Sequence, residues 1–530
     1  MQKITARHSH PLFNIAATRR IEQLAAAILP PHTLMQRAGL AVARLTMALA
    51  PHAQCIWIAC GPGNNGGDGF EAALHLHQWG KSVVVTWTGP GVGKTLPPDA
   101  QAAREKAVTA GVPMAEQPPE VFDFCIDALL GIGSALDADR AGNAVITQWL
   151  NLIHASKKPR LAVDIPTGLD ADTGQSGFTN RSDTTKSIAA DTHSSWTGSI
   201  FTLSLLTLKP GLFTAQGRDC AGQVWFDGLG VDGLAYGQPD AWLLGADRAA
   251  PASRSNARAN SRSGAPHASH KGSFGDVAVL GGESRPDSHM AGAALLAARA
   301  ALHAGAGRVF VALLVESGQT ALAVEVVVDV VQPELMFRSP DALDLKQQVL
   351  VCGCGGGEAV KRVLPKVLST ATRLVLDADA LNAIAMDSAL QSLLMARHRR
   401  GYITVLTPHP LEAARLLGIT TAVVQANRLA AARQLAEKFS CVVVLKGSGS
   451  VIAVPGQTSY INASGNALLA TAGTGDVLAG MVGAAMGSGL RAFEAASSAV
   501  FAHGSLADSW EQTHTGEGLT ASRLAASQTK

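Results

Sequence analysis

Near the end of the chain, Thr471-Ala-Gly-Thr-Gly-Asp476-Val-Leu-Ala-Gly480 puts hydroxyls, glycines and one carboxylate into a single short run. The glycines predict a tight turn, and the apolar, proline-free stretch Val477 to Leu490 predicts a buried helix with Asp476 in its first turn. Such a turn aims several backbone N–H groups and the positive end of a helix at one point, which suits a developing anion. Asp476 is then either an N-terminal cap or a base aimed at a hydroxyl that attacks phosphate. Earlier segments supply the remaining parts. Lys446 with Gly447 can cradle a nucleotide phosphate, and His409 sits in a Pro-His-Pro turn that fixes its orientation. Asp377 and Asp379 could hold a water network or a Mg²⁺ ion. Convergence of these groups on one sheet edge points to phosphoryl transfer.

A second constellation lies in the first half. Gly61-Pro-Gly-Asn-Asn-Gly-Gly-Asp-Gly69 follows an apolar strand and contains the spacing of a dinucleotide fingerprint. The acidic residue expected after the next strand is missing, so an ordinary NAD-dependent dehydrogenase is disfavoured. Asn64, Asn65 and Asp68 instead offer oxygens to a cation or a polar ligand. Asp127 and Asp164 close two further strands, which would place them with Asn65 at one edge of a parallel sheet. Gly89 to Thr95 imitates a phosphate loop, but its spacing is one residue short and Leu96-Pro97-Pro98 opposes the helix that such a loop opens.

The elements that must carry these residues alternate along the chain. Ile15 to Leu49 reads as two helices around Pro30-Pro31, and Cys55–Cys60, Val83–Thr88, Val121–Asp127 and Arg160–Asp164 read as strands, with a helix from Phe70 to Trp79. In the second half, strands are expected at Gly275–Gly282, Arg308–Leu314, Val349–Cys352, Arg373–Asp377, Ile403–Thr407 and Cys441–Lys446, with a helix over Ala291–His303. Helices between strands mean a parallel sheet covered on both faces. Ala249 to His270 is Ser/Ala/Arg-rich without periodicity and reads as a linker. The division is therefore 1–248, linker 249–270, and 271–530.

At 530 residues the chain exceeds one core. A net charge of +2 gives no field that draws it to nucleic acid or membrane, and no apolar stretch is long enough to span a bilayer. The N-terminus carries no signal-peptide pattern. Seven cysteines without metal or paired spacing fit free thiols in a reducing cytosol, so a cytoplasmic protein is expected; a homo-oligomer is expected as well.

Three runs, GPGNNGGDGF (61–70), DALLGIGSALDADR (127–140) and DIPTGLDADTG (164–174), resemble in order the signatures of the NAD(P)H-hydrate epimerase family over about residues 14–230. The resemblance implies a Rossmann-like three-layer domain. It implies that Asn64, Asn65, Gly66, Gly67, Asp68, the loop Gly131, Ile132, Gly133, Ser134, Ala135, Leu136 and Asp137, and Asp164 hold the hydrated nucleotide. It also implies that Asn65, Asp127 and Thr167 bind K⁺, with Thr167 standing where the family usually has Ser. Asp164 is the expected proton-transfer group. A Ser/Thr/Asp-rich stretch from Ser176 to Thr197 reads as a loop insertion.

The second half resembles the ribokinase-like, ADP-dependent NAD(P)H-hydrate dehydratases over about residues 255–525. Carrying runs include HKGSFGDVAVLGG (270–282), DADALN (377–382), TPHPLEAARLL (407–417), VVLKGSGSVIA (443–453) and GNALLATAGTGDVLAG (465–480). The resemblance implies that Lys446, Gly447, Ser448, Gly449, Ser450 and Gly475 contact ADP, with Mg²⁺. It implies that Ala293, Gly355, His409 and Asp476 contact the hydrate, Asp476 as base. Two departures stand out: Cys354 where the family usually has Pro, and Ala472 where it usually has Gly. Both halves thus point to one metabolite, NAD(P)H-hydrate, epimerised by the first and dehydrated by the second. The alternative is a vitamin or sugar kinase fused to a nucleotide-sensing domain.

Overall fold

The computed structural model describes residues 1–90, 95–133, 143–177, 199–249, 266–285, 288–315 and 328–527. Ser134 to Asp137, most of the 176–197 stretch and most of the 249–270 segment lie outside the described residues. The chain packs as two compact units: Met1–Thr5 with Pro11–Ala241, and Ala6–His10 with Trp242–Lys530.

In the first unit, seven parallel strands lie in the order Gln223–Asp227, Ile200–Leu205, Arg160–Val163, Phe124–Ala128, Ile56–Cys60, Val83–Trp87 and Met114–Ala115. Alternation along each strand fills both faces. Ile56, Ile58, Phe124 and Ile126 enter one buried cluster, whereas Trp57, Ala59 and Cys125 enter another with Ile146 and Trp149. The layers are helix, sheet and helix. Register aligns Ala59 with Asp127 and Asp127 with Ala162, so the strands end nearly level and deliver Asn65, Asp127 and Asp164 to one edge.

Two local expectations need correction here. The helix expected from Phe70 begins at Asn64, inside the glycine loop, and runs to Gln78. Glycine disfavours helix intrinsically, but tertiary packing overrides propensity: a Cβ on Gly66 would stand 2.2 Å from the Gly61 carbonyl oxygen. A helix also opens at Pro98, because proline is tolerated at the first helical position. It starts beyond Lys94 and Thr95, so the Gly89–Thr95 run still opens no helix of its own.

The second unit continues the pattern. Arg308–Val315, Asp276–Arg285, Val349–Cys352, Arg373–Leu376, Ile403–Leu406 and Val442–Leu445 are neighbours in parallel. Cys352, Leu376 and Leu406 stand opposite one another, so the loops that follow all begin at one edge. The first strand runs through Gly281-Gly282 to Arg285, past the expected turn, with a register shift between Gly281 and Ser284. Val451–Ala453 and Ser459–Asn462 add antiparallel strands, and Ala241–Leu244 follows them in the sheet. The helices Ala291–His303 and Thr474–Gly487 pack so closely that a Cβ on Gly480 would reach 2.0 Å from the Ala297 carbonyl oxygen. Among the described residues no helix is long and apolar enough to cross a membrane.

Leu244 is fully buried in the second unit's core, and its carbonyl accepts from Ala463 N at 3.3 Å. A fragment starting at Trp242 keeps this strand, whereas one starting at Pro266 loses it. Burial of a leucine is worth about 1.5–3 kcal/mol, so the shorter fragment is expected to melt roughly 3–12 °C lower. Calorimetry on the two fragments checks this, and equal melting temperatures would remove the strand from the unit's stability.

Candidate active sites

In the second unit the helix Thr474–Gly487 is capped by Gly473, whose φ of 87° no β-carbon residue adopts readily. Asp476 therefore lies inside the first turn and is not the cap. Thr474 Oγ1 ties the turn back to the Leu469 and Thr471 carbonyls at 2.8 and 2.9 Å. From the ends of the neighbouring strands come Asp377, whose Oδ1 accepts from Lys446 Nζ at 2.6 Å, and Cys354, whose sulfur lies within 4.8 Å of an Asp476 carboxylate oxygen. Burial, and then repulsion from Asp377, push the Asp476 carboxyl up to about 7, against the pull of the Cys354 thiol and Lys446. At neutral pH this group can both hold and give up a proton.

The other expected residues gather around it. A Cβ on Gly475 would stand 3.2 Å from Lys446 Nζ, and one on Gly355 would stand 2.9 Å from Ala293 Cβ. Ser450 Oγ links to Gly447, donating to its carbonyl at 3.1 Å, and so closes the Lys446–Ser450 loop on itself. His409 is the cap of helix Pro410–Leu417: its Nδ1 accepts from Leu411 N at 3.1 Å and Glu412 N at 3.4 Å. That leaves Nε2 to carry the ring proton, 3.3 Å from Glu412 Oε1. Glu412 is buried and its carboxyl is pushed up to about 7, first by burial. His503, buried behind the turn on the Thr474 carbonyl at 2.9 Å, stays neutral because burial lowers it to about 4.

Cys354, Asp377 and Asp476 each bring one possible ligand atom within 4.8 Å of the others. The trio does not fit a Mg²⁺ cage, which takes six oxygens near octahedral geometry. One member is a thiol that burial holds protonated, and Asp377 is already paired with Lys446. Asp379, the second expected ligand, accepts from Gly357 N at 2.9 Å. Mg²⁺ would therefore come to this site with the nucleotide and not be caged by these side chains.

The first unit holds a cavity of about 870 Å³, and Asn64, Asn65, Asp68, Gly131, Ile132, Gly133 and Asp164 all line it. Gly66, Gly67, Asp127 and Thr167 are not among its lining residues. Lys209 is fully buried and anchors the floor: Nζ donates to Asp164, to the Leu205 carbonyl at 2.8 Å and to Ser204 Oγ at 3.4 Å. Asp164 takes a left-handed φ of 65° to reach this position. Burial, then Asp164 and Glu22, raise the Asp68 carboxyl well above its ordinary range, and burial raises Glu22 as well. Below the cavity, Asp127 accepts from Thr167 Oγ1 at 2.7 Å, Thr167 N at 3.1 Å and Leu129 N at 3.2 Å. Burial raises it too.

The potassium set can be tested on these atoms. Asp127 is a buried carboxylate bonded only to neutral donors, and Asn65 Nδ2 is buried with no hydrogen-bond partner. Rotating that amide exchanges nitrogen for oxygen. One carboxylate with an amide and a hydroxyl suits a weakly held monovalent ion, so the residues fit.

Sequence reasoning missed Lys209, Glu22, Glu412 and the thiol contact of Cys354. Lys209 follows a strand in Leu208-Lys-Pro-Gly-Leu212, a signal that could have marked it. Glu22 sits in an ordinary helix, Ile15–Ala26, and nothing local distinguishes it.

Two parallel-sheet units, each with acid–base groups gathered at the C-terminal ends of its strands, define a two-unit α/β enzyme. The chain is 34% identical over 522 residues to the bifunctional NAD(P)H-hydrate repair enzyme Nnr of Escherichia coli (strain K12), spanning 96% of this chain and 91% of that one. It belongs to the bifunctional NAD(P)H-hydrate repair enzyme family. The Coxiella burnetii member is 32% identical, over 97% of each chain. The ADP-dependent (S)-NAD(P)H-hydrate dehydratase of Neisseria meningitidis is 44% identical over 246 residues, covering 45% of this chain and 78% of that one. Family models match as NAD(P)H-hydrate dehydratase over residues 277–530 and as YjeF-related protein N-terminus over residues 31–207.

Thr167 supplies a donor to Asp127 and an acceptor for Leu130 N at 3.0 Å, all of it buried. Thr167→Val removes both bonds and is expected to cost about 1–3 kcal/mol, while Thr167→Ser keeps most of that stability. Urea unfolding of the two variants distinguishes them, and equal losses would make the methyl the important part.

Proposed function

We propose that the second unit dehydrates the S epimer of NAD(P)H-hydrate at the expense of ADP, with Asp476 as general base. The observation that carries this reading is a buried carboxylate, poised at about 7, inside the first turn of a glycine-capped helix and beside the Lys446–Asp377 pair. Asp476 takes the proton from the ring hydroxyl as its oxygen bonds to the β-phosphorus of ADP and AMP leaves. Backbone N–H groups of the 473–476 turn and the Lys446 ammonium hold the phosphoryl charge. Bound with the nucleotide, Mg²⁺ would supply charge neutralisation at its phosphates. The ring nitrogen's electrons then expel phosphate, and loss of a proton from the neighbouring carbon restores NAD(P)H. Gly447, Ser448, Gly449, Ser450 and Gly475 lie against the nucleotide, and Ala293, Gly355 and His409 against the hydrate. Family membership favours repair over the kinase alternative.

The first unit, by the same proposal, interconverts the R and S epimers in the cavity lined by Asn64, Asp68 and Asp164. Asp164, held by Lys209, and the proton-retaining Asp68 form the acid–base set there. Asn65, Asp127 and Thr167 would hold K⁺, which would supply a compensating charge beneath the loop. The two activities divide at the 249–270 segment. All seven cysteines are free thiols, which supports a cytoplasmic setting.

Asp476→Asn is expected to lower dehydration by roughly 10²–10⁴-fold while ADP binding stays within a few-fold. Recovery of the reduced-nicotinamide absorbance from hydrate and ADP is the assay, and near-normal turnover would remove Asp476 from the mechanism. With the wild type, the rate should rise with pH up to about 7 and level off above it, because the base works ionised.

For the first unit, Asp164→Ala is expected to abolish epimerisation with the ion retained, whereas Asp127→Ala loses K⁺ and weakens hydrate binding. Thallium or potassium titration read by melting temperature follows the ion separately from activity. Potassium stabilisation that survives Asp127→Ala would overturn the ion assignment.

A further inference from the structure

We infer that Cys354 is a positioning residue for the dehydration base: its thiol donates to the Asp476 carboxylate and sets both the orientation and the working pH of that group. The inference rests on the assignment of Asp476 as base. Cys354 is completely buried and its sulfur lies within 4.8 Å of carboxylate oxygens of Asp476 and Asp377. It follows the strand Val349–Cys352 in a turn flanked by Gly353, at φ 118°, and Gly355, at φ 58°. Its carbonyl is pinned by Gly282 N at 2.9 Å, and a Cβ on Gly281 would stand 2.3 Å from that oxygen. The backbone of the turn is therefore held at that carbonyl, and the sulfur it carries sits beside the Asp476 carboxylate.

The chemistry of the contact follows from charge. Asp476 faces a like charge, Asp377, so its only firm reason to ionise is a donor or cation nearby. Lys446 favours ionisation too, but less than the thiol does, and its hydrogen bond goes to Asp377 at 2.6 Å. A thiol that burial keeps protonated is a permanent, if weak, donor. The remaining charged groups on the packed elements are turned elsewhere or offset. Arg299 pairs with Asp329 at 2.7 Å, Arg523 reaches Glu517, Glu283 binds Arg285, and Asp276 binds Arg308. His503 is neutral, Asp508 accepts from Gly465 N, and Asp379 opposes ionisation more weakly than Asp377. Removing the thiol proton donor therefore removes a bond that favours the carboxylate over the carboxylic acid, and the group should ionise at higher pH.

The test is the pH profile of kcat in the full-length enzyme, at saturating hydrate and ADP with Mg²⁺, for wild type, Cys354→Ala and Cys354→Ser. Cys354→Ala should move the half-maximal point up by roughly 0.5–1 pH unit, with the plateau at high pH close to wild type and KM for ADP unchanged. Cys354→Ser, which restores a donor, should bring the point back towards wild type. Should the alanine variant fail to fold, Cys354→Val, which fills the space without a donor, carries the test with the same upward shift expected. A profile for Cys354→Ala that overlays wild type, or equal loss of kcat at every pH in both variants, overturns the inference. An active Asp476→Asn enzyme would instead strike at the base assignment itself.

Discussion

A single buried ammonium surrounded by more carboxylates than it can neutralise governs each site. In the second unit Lys446 bonds Asp377, while Asp476, Glu412 and Asp379 stand near the same charge. In the first, Lys209 bonds Asp164, while Asp68 and Glu22 stand near it. Burial disfavours each ionised carboxylate first, and repulsion among them adds to it, so the surplus carboxylates cannot all ionise. Protons are retained at neutral pH as a consequence. Removing either lysine would leave an unpaired buried anion, which is why the pair and the proton reserve stand together.

The fold's contribution is to make these charges converge. Parallel strands that end level send every following loop to the same edge, and the register of Cys352, Leu376 and Leu406 does this in the second unit. Backbone geometry then turns the side chains inward. Asp164 at φ 65°, Ala378 at φ 49° and Gly473 at φ 87° are all left-handed, and two of them lack the glycine that makes this conformation cheap. Strain of this kind persists where the surroundings determine the backbone, here beside the sites.

What the sequence shows clearly is what local pattern controls. Apolar runs closing in Asp127, Asp164, Asp377 and Lys446 reveal strand ends, and helix Ala291–His303 is read to the residue because its Ala/Leu pattern and its glycine stop agree. The start of helix Asn64–Gln78 is obscured because its glycines serve close approach to Gly61 and Met35, not chain breaking. Glu22 and Glu412 acquire their character wholly from burial beside other charges, and no spacing encodes that. Cys354 is visible in the sequence as a departure, yet only the locked turn around it shows where its sulfur points.

The two lysines also differ in what remains for a ligand. An ammonium has three hydrogens to donate. Lys209 directs its bonds to Asp164, Leu205 O and Ser204 Oγ and has no exposed surface, so it is a fixed charge beneath the cavity. Lys446 has one side-chain acceptor, Asp377, and is 18% exposed. The absent Cβ of Gly475 leaves the ammonium uncovered on the side of the helix turn, where a Cβ would stand 3.2 Å away. Lys446 thus keeps donors beyond the one spent on Asp377, on the side of the helix turn that Gly475 leaves open. On the proposed assignment Lys209 holds Asp164 for proton transfer, whereas Lys446 holds Asp377 with donors left over for phosphate.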